Sequence, residues 1–258
     1  MRVLTPNIQL NDPVAEVFKR IAVRAPFRQL CVFEPFVGDG MVMTSNYAHL
    51  PWVECLEGWE IDPIRASVCK KWIPSAQIKA CDAYKEIHKL KPAFDTILID
   101  NNLVQAPRFE HFDLFPSIFK GLKDESFLII SVCHDPGGYY VQREPRIRSV
   151  LGSRVDDFVK DWDNARTAFY GWPDIREDQR MATTGRIMPL SEISANDMVP
   201  VYTELAIKSR FFTVYHAVVR RSKHMSYILL ELKKGSDRQA LDQKKRDKIE
   251  RQTYGKRN

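Results

Sequence analysis

Apolar and polar positions along the chain alternate between two periods. Residues 12–24 carry apolar side chains at helical spacing, among them Val14, Phe18 and Ile21. Strand-like apolar runs follow at residues 30–36, 55–62, 77–82, 96–100 and 127–132, and helix-compatible segments near 41–50, 63–72, 83–90 and 110–122 lie between them. Strands that alternate with helices predict βαβ units, in which a parallel sheet carries helices on both faces.

Two further β-rich segments, residues 211–221 and 225–233, are separated only by Ser222, Lys223 and His224. Three residues are too few for a crossover helix, so the two segments must pair as an antiparallel hairpin. The sequence therefore predicts an α/β fold with a doubly wound, seven-stranded, mostly parallel sheet that ends in a C-terminal antiparallel hairpin.

Residues between about 133 and 210 are not required by this sheet. They include helix-like stretches at 154–170 and 198–209. An insertion on a rigid sheet often determines which substrate is bound. We expect one domain over residues 1–232 with this helical insertion, followed by a separate segment over residues 233–258.

The positive charge of the chain belongs to that last segment. The 258 residues have a net charge of +6, and residues 233–258 contain ten Lys or Arg against four acids, so the rest is electrically balanced. With few apolar residues, this tail is expected to be disordered, and a basic arm of this kind commonly contacts the phosphates of nucleic acid. A solubilising extension is the alternative.

The composition of the chain excludes several classes of protein. With 44% apolar and 28% charged residues it is not collagen-like, disordered or a disulfide scaffold. It has no apolar run of membrane-spanning length and no signal-peptide pattern at its N-terminus, so we expect an intracellular, cytoplasmic protein. No Cys-x-x-Cys pair occurs, which favours buried reduced thiols over disulfides or zinc at five positions, Cys31, Cys55, Cys69, Cys81 and Cys133.

The first strand ends in an acid and a glycine turn. In the sequence EPFVGDG, Glu34 closes the strand and Gly38 and Gly40 follow where the chain turns into a helix. Ligands of open α/β sheets bind at the carboxyl ends of the strands, and glycines allow the backbone to approach a ligand closely. Tight turns of this kind also occur without a ligand.

A second acid strengthens the prediction of a ligand site. Glu60, at the end of the second strand, follows Gly40 by 20 residues, which is close to the spacing of an acid that binds ribose hydroxyls. A nucleoside-containing cofactor is therefore indicated. Nicotinamide dinucleotides require a third glycine where this chain has Met43, which argues against a pyrophosphate.

These motifs resemble class I S-adenosylmethionine-dependent methyltransferases, which have a Rossmann-like fold. The resemblance covers residues 30–132 by motif and the terminal hairpin by topology. It implies S-adenosylmethionine as the cofactor, with its methionine part beside the turn that holds Glu34, Phe36, Gly38 and Gly40.

The same resemblance assigns the nucleoside part of the cofactor. It implies that Glu60 holds the ribose, that Ile61 lies against the adenine, and that Asp82, followed by Ala83, accepts a hydrogen bond from the adenine amino group. Helix capping is the alternative role of Asp82, which precedes a helix-compatible segment.

The fourth strand ends in Asp100, Asn101 and Asn102, and we predict that these residues are catalytic. The EPFVGDG turn is most similar to that of amino-methylating DNA and RNA methyltransferases, whose fourth strand ends in Asp or Asn, Pro, Pro and an aromatic residue that stacks on a flipped base. Asp100 matches the first position of that motif, whereas Asn101, Asn102 and Leu103 differ from the other three.

Other chemistries at the strand ends stay open. Cys133 could be a nucleophile, although a packed thiol is the better interpretation. Asp100 and Asp135 could ligate a hard cation, as in metal-dependent O-methyltransferases, and His134 could be a general base.

Residues 141–186, within the insertion, contain eight arginines and one lysine against eight acids. Arginine suits bidentate binding of phosphate, but ion pairs within the chain explain the same composition. Four aromatic residues could stack on bases or form a small core: Trp162, Phe169, Tyr170 and Trp172.

The sequence favours an S-adenosylmethionine-dependent methyltransferase that acts on RNA or DNA. Nucleic acid would be bound by the basic tail and by the arginine-rich insertion. One alternative is a catalytically inactive, methyltransferase-like subunit that binds nucleic acid or a partner protein. Another is a methyltransferase of small molecules or proteins.

Overall fold

The computed structural model describes residues 12–41, 43–100, 109–115, 117–170 and 194–235. Their strands form one seven-stranded sheet in the order β3-β2-β1-β4-β5-β7-β6. The strands are β1 Leu30–Glu34, β2 Val53–Glu60, β3 Gln77–Ala80, β4 Phe94–Ile99, β5 Leu122–Cys133, β6 Phe211–Arg220 and β7 Met225–Lys234. The first five run parallel, and β7 is antiparallel to both β5 and β6, which confirms the predicted sheet and hairpin.

The helices lie between these strands as the alternating pattern predicts. They are α1 Pro13–Arg24, α2 Thr44–Ala48, α3 Pro63–Trp72, α4 Ala83–Glu86, α5 Pro136–Leu151, α6 Val155–Tyr170 and α7 Ala195–Lys208. Asp12 and Asp62 begin α1 and α3 by accepting hydrogen bonds from backbone amides of the first turn, and a proline follows each of them.

The prediction of a helix near residues 110–122 is wrong. Two short 3-10 segments take its place, at Phe109–Leu114 and Ser117–Gly121. Glu110 and His111 have φ of 48° and 59°, in the left-handed region, and this conformation cannot continue a right-handed helix.

The sheet separates two apolar layers. Phe33 and Ile97 belong to the layer that contains α7, whereas their chain neighbours Val32 and Leu98 belong to the layer that contains α1. Successive side chains of a strand point to opposite faces, so each strand contributes to both layers. This burial on both faces holds the strand ends in fixed positions.

The cysteines depart from the prediction at one pair. Cys31 on β1 and Cys55 on β2 are register partners and are joined by a disulfide, with their Cα atoms 4.6 Å apart. The expectation of reduced thiols is therefore wrong for this pair, because parallel pairing brings together two residues that are 24 positions apart in sequence. Cys69 and Cys133 are buried free thiols, as predicted, and Cys81 is a free thiol of intermediate exposure.

Within the described ranges, none of the helices combines the length and the apolar character needed to cross a membrane.

Candidate active site

Three of the predicted acids lie at the same edge of the sheet. Glu34 ends β1, Glu60 ends β2 and Asp100 directly follows β4, and these strands run parallel. The predicted catalytic residues Asn101 and Asn102 lie outside the described residues.

Glu34 is held by the short helix α2. Its carboxylate is buried and accepts hydrogen bonds from Thr44 Oγ1 at 2.9 Å and from Tyr47 Oη at 2.5 Å. Burial and, to a smaller extent, the nearby charge of Asp100 raise the pKa of Glu34 to about 8, against the lowering effect of the two hydroxyl donors. Glu34 is therefore mostly protonated at neutral pH. The sequence motif did not reveal Thr44 and Tyr47 as its partners.

The turn after β1 requires its glycines. Gly38 and Gly40 have φ of 62° and 71°. A Cβ atom would lie 2.9 Å from Arg65 Nη2 at Gly38 and 2.6 Å from Cys69 Sγ at Gly40, both on α3. The two glycines thus allow the turn to pack closely against α3.

Glu60 and Ile61, at the end of β2, differ in polarity and in exposure. Glu60 is 8% exposed, and its Oε1 accepts a hydrogen bond from the Asp62 amide at 2.9 Å. Among the described residues none donates a hydrogen bond to Glu60 Oε2. Ile61, the next residue, is 67% exposed, so an oriented carboxylate lies beside uncovered apolar surface.

Asp82 caps α4. Its Oδ1 accepts a hydrogen bond from the Tyr84 amide at 3.0 Å, and its Oδ2 lies 3.9 Å from Lys85 Nζ. Ala83 is buried in the core layer of α7. The helix-capping role is therefore present, and it leaves the adenine-binding role of Asp82 a prediction.

Asp100 is held by the terminal hairpin. Its Oδ1 accepts hydrogen bonds from Arg221 Nη1 at 2.5 Å and from Tyr227 Oη at 3.1 Å. Burial raises the pKa of Asp100 to about 6, although the Arg221 charge and the Tyr227 hydroxyl partly oppose this effect. Nothing in the local sequence near Asp100 indicates these two partners.

His111 joins the turn after β1 to the segment that follows β4. Its ring stacks on Phe36, with centroids 3.8 Å apart, and Tyr84 Oη lies 2.5 Å from its Nδ1. The preceding Glu110 forms a buried ion pair with Arg166 of α6 and accepts a hydrogen bond from Trp162 Nε1 at 2.9 Å. Phe36 is therefore in contact with the segment that leads away from the fourth strand end.

Comparison with known proteins shows what this architecture is similar to. No family model and no curated protein sequence matches the chain. The structure of Trm1 from Pyrococcus horikoshii with S-adenosyl-L-methionine aligns with a TM-score of 0.56 at 13% identity, over 93% of this chain and 58% of that chain. This chain has the class I methyltransferase fold. The identity is too low for the likeness to show more than the fold.

Two further structures align with lower TM-scores. That of M. jannaschii TYW2 in complex with AdoMet gives 0.49 at 12% identity, over 89% of this chain and 80% of that chain. That of magnesium protoporphyrin IX methyltransferase (ChlM) from Synechocystis PCC 6803 with bound SAH gives 0.46 at 12% identity, over 86% and 81%.

Within this methyltransferase fold, the alternative catalytic groups have structural roles. Cys133 is buried, and burial raises the pKa of its thiol well above the usual range, so it is a packed thiol. His134 contacts Lys223 O at 3.0 Å and Ser226 Oγ at 3.2 Å. Asp135 caps α5 and lies 2.6 Å from His224 Nδ1. In the described part of the chain no three His, Cys, Asp or Glu side chains form a group that could hold a metal ion.

In the insertion at residues 133–210, exposed arginines lie on α5 and exposed acids lie on α6. The arginines of α5 and the following turn are exposed: Arg143, Arg146, Arg148 and Arg154. On α6, Arg166 is buried against Glu110, whereas Asp156, Asp157 and Asp161 are exposed. Arg176, Arg180 and Arg186 and tail residues 236–258 lie outside the described residues.

The aromatic residues of α6 pack into two apolar clusters, Trp162 into one with Phe109, and Phe169 and Tyr170 into the layer that contains α7. Trp162 and Tyr170 are buried, and Phe169 stacks on Phe112 with centroids 4.1 Å apart. Of the two interpretations drawn from the sequence, packing is therefore correct for these three residues. Trp172 lies outside the described residues.

Proposed function

We propose that this protein is an S-adenosylmethionine-dependent methyltransferase that acts on RNA or DNA. The observation that carries the proposal is the pairing, at the end of β2, of the oriented carboxylate of Glu60 with the exposed side chain of Ile61 beside the glycine turn. The S-adenosyl-L-methionine named in the Trm1 complex supports the choice of cofactor.

The residues at this edge suit the parts of such a cofactor. Ribose hydroxyls donate hydrogen bonds, and Glu60 offers a carboxylate oxygen to which the described residues donate none. Adenine has an apolar face, and Ile61 has apolar surface to cover. The amino group of the methionine part carries a positive charge, which on binding would lower the raised pKa of Glu34 and favour its ionised form.

The protein contributes mainly alignment to the proposed reaction. S-adenosylmethionine would supply the methyl group, which is activated because it is bonded to a positively charged sulfonium sulfur. Asp100 would accept a hydrogen bond from the attacking group of the acceptor and fix its direction, and Asn101 and Asn102 would add polar groups at the same strand end. His111 would keep Phe36 in place beside the turn.

A nucleic-acid acceptor is supported by charge. The exposed arginines of α5 lie on the helix that begins directly after β5, and the carboxyl end of β5 is at the same edge of the sheet as the end of β4 that Asp100 follows. Residues 136–154 contain four arginines and one acid, Glu144, so the excess of charge is local. Arginine binds phosphate in a bidentate geometry, and the basic tail would add sequence-independent contacts.

Calorimetric titration with S-adenosylhomocysteine tests the cofactor. Glu60→Ala should weaken binding roughly 100-fold, because it removes charge-assisted hydrogen bonds to the ribose. Glu54→Ala, an exposed acid on the same strand, is the matched control and should bind like the wild type. A folded wild-type protein that gives no heat of binding would reject the proposed cofactor.

The acceptor is tested by following label from methyl-labelled S-adenosylmethionine into separate pools of DNA, RNA, protein and small molecules. We expect label in RNA or DNA. A chain ending at Gly235, which keeps all of β7, should transfer less label, and its nucleic-acid binding should depend less on salt, because most of the basic tail is removed. Label in protein or small molecules alone would reject a nucleic-acid acceptor.

A second candidate is a catalytically inactive subunit that binds nucleic acid or a partner protein. It is favoured by the ion pair between Arg221 and Asp100, which places a positive charge against the carboxylate proposed to be catalytic. Cofactor binding without label in any pool would favour this candidate.

A further inference from the structure

We infer that Arg221 and Tyr227 are positioning residues for Asp100, which hold one carboxylate oxygen and leave the other to the methyl acceptor. This inference rests on the proposed function, in which Asp100 orients the acceptor. It extends that function to the terminal hairpin, far from Asp100 in sequence.

The register of the sheet places Tyr227 beside Asp100. Ile99, the last residue of β4, pairs with Ile130 on β5, and the next residue of β5, Ser131, pairs with Tyr227 on β7. Asp100 therefore follows β4 at the level of Ser131 and Tyr227. The Tyr227 side chain reaches over β5, and its hydroxyl donates a hydrogen bond to Asp100 Oδ1 at 3.1 Å.

Arg221 reaches the same oxygen from the turn between β6 and β7. Its Nη1 donates to Asp100 Oδ1 at 2.5 Å and to Ser131 Oγ at 2.8 Å, and its guanidinium carbon lies 5.3 Å from the centre of the Tyr227 ring. Its side chain is only 22% exposed and that of Asp100 only 4%. Three contacts thus fix the guanidinium in a largely water-excluded position.

The turn that carries Arg221 is itself anchored to the end of β5. The amide of Arg221 donates to Met225 O at 2.9 Å, and the amides of His134 and Asp135 donate to His224 O at 3.0 and 3.2 Å. The His224 ring adds a contact from Nδ1 to Asp135 Oδ2 at 2.6 Å. Arg221 therefore projects from a turn that is bound on both sides.

These contacts give the two oxygens of Asp100 different surroundings. Arg221 and Tyr227 both donate to Oδ1, and Ser131, which Arg221 also contacts, is a further side-chain hydrogen-bond partner of the carboxylate. A carboxylate is planar. When hydrogen bonds hold one of its oxygens in place, the position of the other oxygen is therefore restricted. Burial and the charge of Asp12 raise the pKa of Asp100, whereas Arg221, Tyr227 and Ser131 lower it and so favour the ionised form.

Carbon-13 NMR titration of the Asp100 carboxyl, in full-length protein without cofactor, tests the positioning. Arg221→Gln should raise the pKa of Asp100 by about 1–3 units, because it removes an opposite charge in direct contact. Tyr227→Phe should raise it by a smaller amount, by removing only one hydroxyl. Arg220→Gln is the matched control, because within the described part of the chain the Arg220 side chain donates to backbone oxygens of its own turn, Ser222 O and Lys223 O.

An unchanged Asp100 titration in Tyr227→Phe and Arg221→Gln would overturn the inference. If Arg221→Gln fails to fold, Tyr227→Phe decides alone, since it deletes a single oxygen atom. Arg221→Lys should restore part of the wild-type titration, because it keeps the charge and loses the planar guanidinium.

The acceptor role of the second oxygen is tested with the nucleic-acid pool that takes up label. Tyr227→Phe should lower kcat, shift the pH profile of methyl transfer in the same direction as the Asp100 titration, and leave S-adenosylhomocysteine affinity unchanged. An unshifted profile would overturn that role. Absence of transfer by the wild type would instead reject the proposed function, and the titration would still decide whether the hairpin positions Asp100.

Discussion

The two halves of the sheet hold their strand-end acids in different ways. In the β1–β3 half, each acid is bound by residues close in sequence, as Glu60 by Asp62 and Glu34 by Thr44 and Tyr47. In the β4–β7 half, Asp100 is bound by residues 121 and 127 positions away. The first half can therefore be recognised from short motifs, whereas the second is assembled only by the complete sheet.

The largest effect is expected from breaking a long-range contact between α6 and the segment that follows β4. Arg166→Met leaves the buried Glu110 without its ion-pair partner, which should lower the free energy of unfolding by about 3–5 kcal/mol. Denaturant unfolding measures this loss, and Arg146→Met on the exposed face of α5 is the control, with little change expected. A loss below about 1 kcal/mol would show that the pair does not hold the insertion in place.

A smaller effect is expected at Glu34 in the first half. Its pKa is raised from 4.5 to about 8, so the folded protein binds more protons than the unfolded chain in that range, and stability should fall as the pH rises from about 4.5 to 8. Glu34→Gln should remove this dependence and be more stable than the wild type at pH 8, on the order of 3 kcal/mol. Parallel unfolding curves of the two proteins across this pH range would contradict the prediction.

The smallest effect is expected at the surface of the first half. Ile61→Ala removes apolar area that the proposed adenine would cover, so S-adenosylhomocysteine affinity should fall about 5- to 20-fold, with unfolding nearly unchanged. Val23→Ala, which changes another exposed side chain on the surface of α1, is the control for a general effect. Equal affinity of the wild type and Ile61→Ala would remove Ile61 from the cofactor site.

Much of the fold could be predicted because its signals are local. The apolar runs, the spacing from Gly40 to Glu60 and the short link between β6 and β7 are all visible within a few dozen residues. The helix α5 was not predicted because Gly137, Gly138 and Pro145 weaken the helical signal within it.

Contacts across the sheet could not be predicted in the same way. The disulfide between Cys31 and Cys55 depends on the register of β1 and β2, and the hold of Arg221 on Asp100 depends on the order β4-β5-β7. Neither leaves a periodic pattern in the sequence. The roles of Glu34, Glu60 and Asp82 toward the cofactor remain predictions, since the structure shows how these acids are held.

The contact between Arg221 and Asp100 has an evolutionary consequence. A neutral residue at position 100 would leave a largely buried guanidinium without its counter-charge, and a neutral residue at position 221 would do the same to the carboxylate. Positions 100 and 221 should therefore vary together among descendants of this gene, and lineages that abandon one are expected to lose the other soon afterwards.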